Sequence, residues 1–220
     1  MKDEGSFRQP TDAVLRHLFE EARDIPLSFE LFPPRTTDAQ EKLNETVDHL
    51  APAAMAGFSV TMGAGGTTRT GTHATCVDVK RRSGRPVTAH LTALGLSKEQ
   101  VLSTADDLWA DGITRILALR GDRPRATAGP LPPTFPHAAE MVAALRDQHD
   151  FEIAVAAYPE KHPEAPSLDE DIDHLKEKLD AGASMAVCQF VLNPEAYGRF
   201  LDRCARHGID APIVPGVIPL

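Results

Sequence analysis

A carboxylate lies inside an apolar run at Ser28-Phe29-Glu30-Leu31-Phe32-Pro33-Pro34. Burying a carboxyl among such neighbours disfavours its charged form and raises its pKa, which suits Glu30 to act as a general acid. The bland alternative is a strand-end glutamate paired with an arginine. Gly63-Ala64-Gly65-Gly66-Thr67-Thr68-Arg69 is glycine-rich. Such a stretch lets backbone N–H groups approach an anion or a ring closely, or serves simply as a wide turn. Its spacing matches neither a P-loop nor Gly-x-Gly-x-x-Gly. His90 sits in Ala89-His90-Leu91-Thr92, either as a satisfied structural group or as a ligand contact. Arg120-Gly121-Asp122 combines a cation, a close-approach glycine and a carboxylate. Tyr158 and His162 share a proline-stiffened segment and can stack or hydrogen-bond. Gln189 is an amide in an apolar run, so burial would oblige it to find partners.

These groups fall inside or just after short apolar segments at 27–32, 58–62, 87–92, 116–119, 152–157, 186–191 and 213–217. Runs of this length, flanked by Gly, Pro or Asp, read as buried parallel strands. Between them lie amphipathic stretches. Residues 11–24, 97–111 and 167–181 repeat their apolar positions with helical period; Val101, Ala105 and Leu108 are one such face. Ser97 with Gln100 and Ser167 with Glu170 fit the capping box, and Gly112, Gly182 and Gly208 stand where helices end. Strand–helix alternation implies a parallel sheet with helical crossovers. The absence of a doubly wound glycine fingerprint favours a (β/α) barrel over an open sheet. The longer loops, 33–38, 63–72, 121–136 and 158–167, follow strands, where a barrel builds its site. A full (β/α)8 TIM barrel has eight strands and about 250 residues. Seven strands are legible here, so the reading is an N-terminal helix and lead-in over 1–25 and a C-terminally incomplete barrel domain over 26–220.

Composition narrows the function classes. The 220 residues carry 23 Lys plus Arg against 32 Asp plus Glu, a net charge of −9, with no basic stripe. Phosphate neutralisation needs clustered cations, so no nucleic-acid partner is expected. No apolar run approaches the roughly 20 residues of a membrane span, so no membrane partner is expected either. Three widely spaced cysteines argue against a disulfide framework and for a reducing, cytoplasmic setting. No metal-ligand spacing occurs.

Together the segments at 29–35, 60–66, 89–92, 119–122, 156–165 and 189–190 (Phe-Glu-Leu-Phe-Pro-Pro-Arg, Val-Thr-Met-Gly-Ala-Gly-Gly, Ala-His-Leu-Thr, Leu-Arg-Gly-Asp, Ala-Ala-Tyr-Pro-Glu-x-His-Pro-Glu-Ala and Gln-Phe) resemble the methylenetetrahydrofolate reductase family, in order and spacing. The resemblance implies a flavin-containing barrel that reduces 5,10-methylenetetrahydrofolate to 5-methyltetrahydrofolate, with FAD relaying electrons from NADH or NADPH. It makes Glu30 the catalytic acid and places Asp122 and Gln189 on the folate. It places Thr61, Ala64, His90, Arg120, Gly121, Asp122, Tyr158, His162, Ala165, Asp171 and Lys178 on the FAD. Asp171 and Lys178 are two helical turns apart, so both can address one ligand. His174 and Glu177 fall where some members carry other polar contacts and are left out of the site. Met62 replaces a common aromatic residue with a thioether. The resemblance also implies a homo-oligomer. The alternatives are a non-catalytic flavin- or partner-binding fragment and a flavin-free aldolase or lyase. The aldolase reading calls for a Schiff-base lysine in a strand, and the strand runs contain none.

Overall fold

The computed structural model describes residues 25–63, 69–121 and 134–218. Seven strands appear: β1 (Ser28–Leu31), β2 (Gly57–Val60), β3 (Val87–Thr92), β4 (Arg115–Leu119), β5 (Glu152–Ala157), β6 (Met185–Phe190) and β7 (Ile213–Gly216). Six helices follow them in alternation: α1 (Thr37–Leu50), α2 (Arg69–Ser83), α3 (Lys98–Ala110), α4 (Ala138–Gln148), α5 (Leu168–Asp180) and α6 (Pro194–Arg206). The expected helix over 11–24 lies outside the described residues.

All neighbouring strands are parallel and the sheet order follows the chain, β1 to β7. This is an incomplete (β/α)8 barrel in which one βα unit is missing among the described residues, and β1 and β7 do not pair with each other. Each therefore has one ladder rather than two. Central strands are buried, as expected for parallel strands, whereas β1 and β7 are largely open to solvent.

Strand alternation sorts the side chains. Phe58, Val60, Ala89, Leu91, Ile116, Ala118, Ile153 and Val155 turn outward into cores shared with the helices. Val47 and Val79 cover the β1–β3 side. Val101, Met141, Leu145, Ile172, Leu175 and Phe200 cover the remainder. The opposite parity carries Glu30, Ser59, Thr88, His90, Leu117, Ala156, Val187 and Gln189 toward the interior, on a row far richer in polar and small residues.

Local signals set the helix ends. Ser97 and Gln100 form a reciprocal capping box at α3. Ser167 Oγ accepts the Glu170 N–H at α5, but the Glu170 carboxylate turns to the Ser167 hydroxyl instead of its N–H, so the second box is only half made. Asn193 caps α6, with Pro194 in the first turn, where its missing N–H costs nothing. Gly57 opens β2 at φ +109°, and a Cβ there would stand 2.2 Å from the Pro86 carbonyl oxygen, so only glycine fits.

Candidate active site

The interior row, the end of β4, the start of α4, the segment after β5 and one side of α5 enclose an open cleft of about 490 Å³. Of the residues named from the sequence, Glu30, His90, Arg120, Gly121, Tyr158, His162, Ala165, Asp171, Lys178 and Gln189 line it. Thr61 does not. It follows β2, donates its N–H to Leu31 O and accepts the Thr72 hydroxyl on its carbonyl. Ala64 and Asp122 lie outside the described residues.

Glu30 reaches the cleft from β1. Its side chain keeps 46% of its accessible surface, because β1 is an edge strand. It is thus less enclosed than its apolar neighbours in sequence imply. Partial burial still pushes its pKa above the ordinary carboxylate value. His90, from β3, is 7% exposed. Burial drives its pKa down to about 4, so the imidazole is neutral at physiological pH. Its Nε2 stands 3.7 Å from Glu30 Oε2, too far for a hydrogen bond, and has no hydrogen-bond partner among the described residues. A buried polar atom without a partner at a cleft wall is a place for a ligand group to complete.

Lys178 comes from α5. It donates to Ala156 O at 2.7 Å, and burial lowers its pKa to about 8 against an opposing pull from Asp171. Asp171 accepts the His162 N–H at 2.8 Å. The two residues do share the cleft, but each also holds backbone. Arg120, at the end of β4, pairs with Glu164 at 2.7 Å, bridging the β4 and β5 loops. Gly121 takes φ +87°, which turns the chain where β4 leaves the sheet, and a Cβ there would stand 3.3 Å from the Cβ atoms of Thr92 and Leu94, so its missing side chain makes room for β3 and the turn after it rather than for a ligand. The Glu164 N–H donates to His162 Nδ1, so the neutral ring carries its proton on Nε2. Tyr158 meets that ring edge-on at 4.7 Å.

His174 and Glu177, left out of the site on sequence grounds, also line the cleft and contact each other at 3.2 Å. They share with Asp171 and Lys178 the helical spacing that brings all four to one side of α5, a signal available in the sequence. His137, just before α4, joins them, its ring nearly parallel to that of His174 at 6.5 Å. No local pattern marks it. The arrangement offers one half-buried cation, an unsatisfied imidazole nitrogen and apolar walls from Leu117, Leu119 and Ala156.

His90 should make folding pH-dependent. Its folded pKa lies below the value of about 6.5 in the unfolded chain, so the unfolded state binds more protons between pH 6.5 and 4. Stability is then full above pH 6.5 and falls by up to about 3 kcal/mol as the pH drops through that window. Urea titrations of the cofactor-free protein should show this fall, and His90→Leu should lose that part of it. Equal losses in both proteins between pH 7 and 4 would refute the assignment.

The family model described as Methylenetetrahydrofolate reductase matches residues 15–220. A 5,10-methylenetetrahydrofolate reductase of Pectobacterium carotovorum subsp. carotovorum is 44% identical over 209 residues, covering 95% of this chain and 69% of the relative. That of Escherichia coli (strain K12) is 41% identical with the same coverage. Among solved structures, a phosphoenolpyruvate phosphomutase from Streptomyces platensis subsp. rosaceus superposes with a TM-score of 0.57 at 18% identity, covering 91% of this chain and 71% of that one. An uncharacterized protein from Clostridium thermocellum, which binds two copies of 5-methyl-5,6,7,8-tetrahydrofolic acid, gives 0.57 at 14% identity, covering 90% and 68%. At such identities these structures speak to the fold alone, whereas the family match and the close relatives identify the chain as a member of the methylenetetrahydrofolate reductase family.

Proposed function

We propose that this oxidoreductase reduces 5,10-methylenetetrahydrofolate to 5-methyltetrahydrofolate with electrons from NADH or NADPH, and that FAD occupies the cleft. The supporting observation is that Glu30, His90 and Lys178, drawn from β1, β3 and α5, line one cleft in a member of this family. The residues suit the cofactor. Lys178 supplies a cation to the diphosphate. The Nε2 of His90 and the apolar walls receive the rest.

A bound FAD supplies two-electron hydride chemistry at this position. Glu30 holds the proton. In its protonated form it donates from the carboxyl oxygen to a folate nitrogen of the bridging ring, the carbon–nitrogen bond opens, and the methylene carbon becomes an iminium that accepts hydride. One proton and one hydride enter and a methyl group results, so the step balances. A raised pKa keeps more of Glu30 protonated near neutrality, the form the donation requires. Gln189, on the interior row of β6, offers an amide to the pterin or to the nicotinamide in turn.

The direct test is optical. The purified protein mixed with FAD should retain an oxidised-flavin band through gel filtration. NADH or NADPH should bleach it anaerobically, and 5,10-methylenetetrahydrofolate should restore it. A colourless protein with no folate turnover would sink this reading in favour of a flavin-free barrel. Flavin retention without reoxidation by the folate would favour a binding fragment.

A further inference from the structure

Lys161 occupies the open position of the Tyr-Pro-Glu-x-His-Pro-Glu-Ala segment. Among the described residues it alone, glycines aside, has positive φ, at +85°. A long unbranched side chain gains nothing from that conformation, which glycine adopts freely. The compensation is in its ammonium. Lys161 Nζ donates to His162 O at 3.1 Å and to Ala165 O at 2.5 Å, while its own N–H donates to Tyr158 O. The side chain folds back over the loop and ties two carbonyls that flank the tip. Ala165 N–H meets the same His162 carbonyl at 3.0 Å, so one oxygen is shared between turn and ammonium. That brace fixes the backbone from which His162 N–H reaches Asp171 and from which Glu164 reaches Arg120.

We infer that Lys161 is a positioning residue: its ammonium braces the loop after β5 so that His162, Glu164 and Ala165 are presented to the cleft in binding geometry. It does not line the cleft described above and acts through its neighbours. The inference rests on the flavin reading for what the loop binds, but not for the brace.

Three variants separate the terms. Lys161→Gly releases the backbone conformation and removes the ammonium. Lys161→Met keeps the stem and removes only the ammonium. Lys161→Arg keeps a cation. In cofactor-free protein, the His162 and Ala165 amides should exchange hydrogen at least about tenfold faster in the Gly and Met variants, the scale of one lost charge-assisted hydrogen bond. FAD, titrated by flavin fluorescence, should bind about tenfold more weakly to both, and Lys161→Arg should recover much of the loss. The cofactor-free Lys161→Gly protein should melt within about 2 °C of wild type, since removing the positive-φ side chain offsets the lost bonds. Unchanged exchange at these amides would overturn the proposal. So would FAD affinity within twofold of wild type in the Gly and Met variants, or a loss of affinity matched by a general fall in melting temperature. If wild type itself takes up no FAD, the flavin reading fails, and the exchange comparison in cofactor-free protein still decides the brace.

Discussion

Glu30→Gln is expected to retain flavin and to lose folate reduction by about 100- to 10,000-fold, the usual cost of removing a general acid. The substitution is nearly isosteric and leaves the strand ladder untouched, because Glu30 pairs through its backbone with Ser59 on β2. The amide cannot deliver a proton to the folate nitrogen. Reduction of the flavin by the nicotinamide needs no acid at the folate and should proceed near the wild-type rate, so the two half-reactions separate in a stopped-flow experiment. The neighbourhood of Glu30 contributes to the expectation. His90 is 3.7 Å away and neutral, so it offers no positive charge to hold the carboxylate ionised. Folate turnover in the variant within a few-fold of wild type would remove Glu30 from the acid role.

The second large effect concerns Lys178→Met. Burial holds the folded-state pKa at about 8, against 10.5 when unperturbed. Keeping the charge in that site therefore costs the cofactor-free protein about 3 kcal/mol at neutral pH. Methionine preserves the stem and removes the charge. The cofactor-free variant should be as stable as wild type or more so, while FAD binding weakens about 10- to 150-fold, the equivalent of one charge-assisted contact to an anion. Opposite movements of folding and binding would distinguish a ligand-directed cation from a structural one. Proton linkage adds a check. An anionic ligand raises the lysine pKa in the complex, so binding takes up a proton above pH 8 and FAD affinity should fall as pH rises beyond that value. The variant should lack this dependence. Full flavin retention by Lys178→Met, with unchanged pH dependence, would remove Lys178 from the cofactor site. Arg120 is a weaker lever than its sequence position implies, because its guanidinium already pairs with Glu164.

The alternation of elements was legible in the sequence because it follows from local chemistry. Apolar β-branched runs bounded by Gly, Pro and Asp match β1 to β7 to within about two residues at either end. Ser97 and Gln100 marked the start of α3 for the same reason: a cap acts within four residues of itself. The motif order then pointed to the family. Ten of the residues named from the sequence reach one cleft.

What those residues do there is decided by neighbours remote in the chain. Glu30 reads as enclosed by Phe29 and Leu31, yet its exposure depends on what lies beside β1, and nothing pairs on that side among the described residues. Helix-packed strands bury His90 until its imidazole stays neutral, and the Ala156 carbonyl at the end of β5 holds Lys178. Thr61 is a motif residue whose backbone is held by Leu31 and Thr72, and it is not among the residues that line the cleft. His137 enters from a loop with no periodicity to announce it. Lys161 fills the unassigned position in its motif, and only the fold shows its ammonium closing over two carbonyls. Propensities, caps and periodicity are sums over a few adjacent residues. Desolvation, ion pairing and bracing are sums over every element packed around a group, and those sums exist only once the barrel has formed.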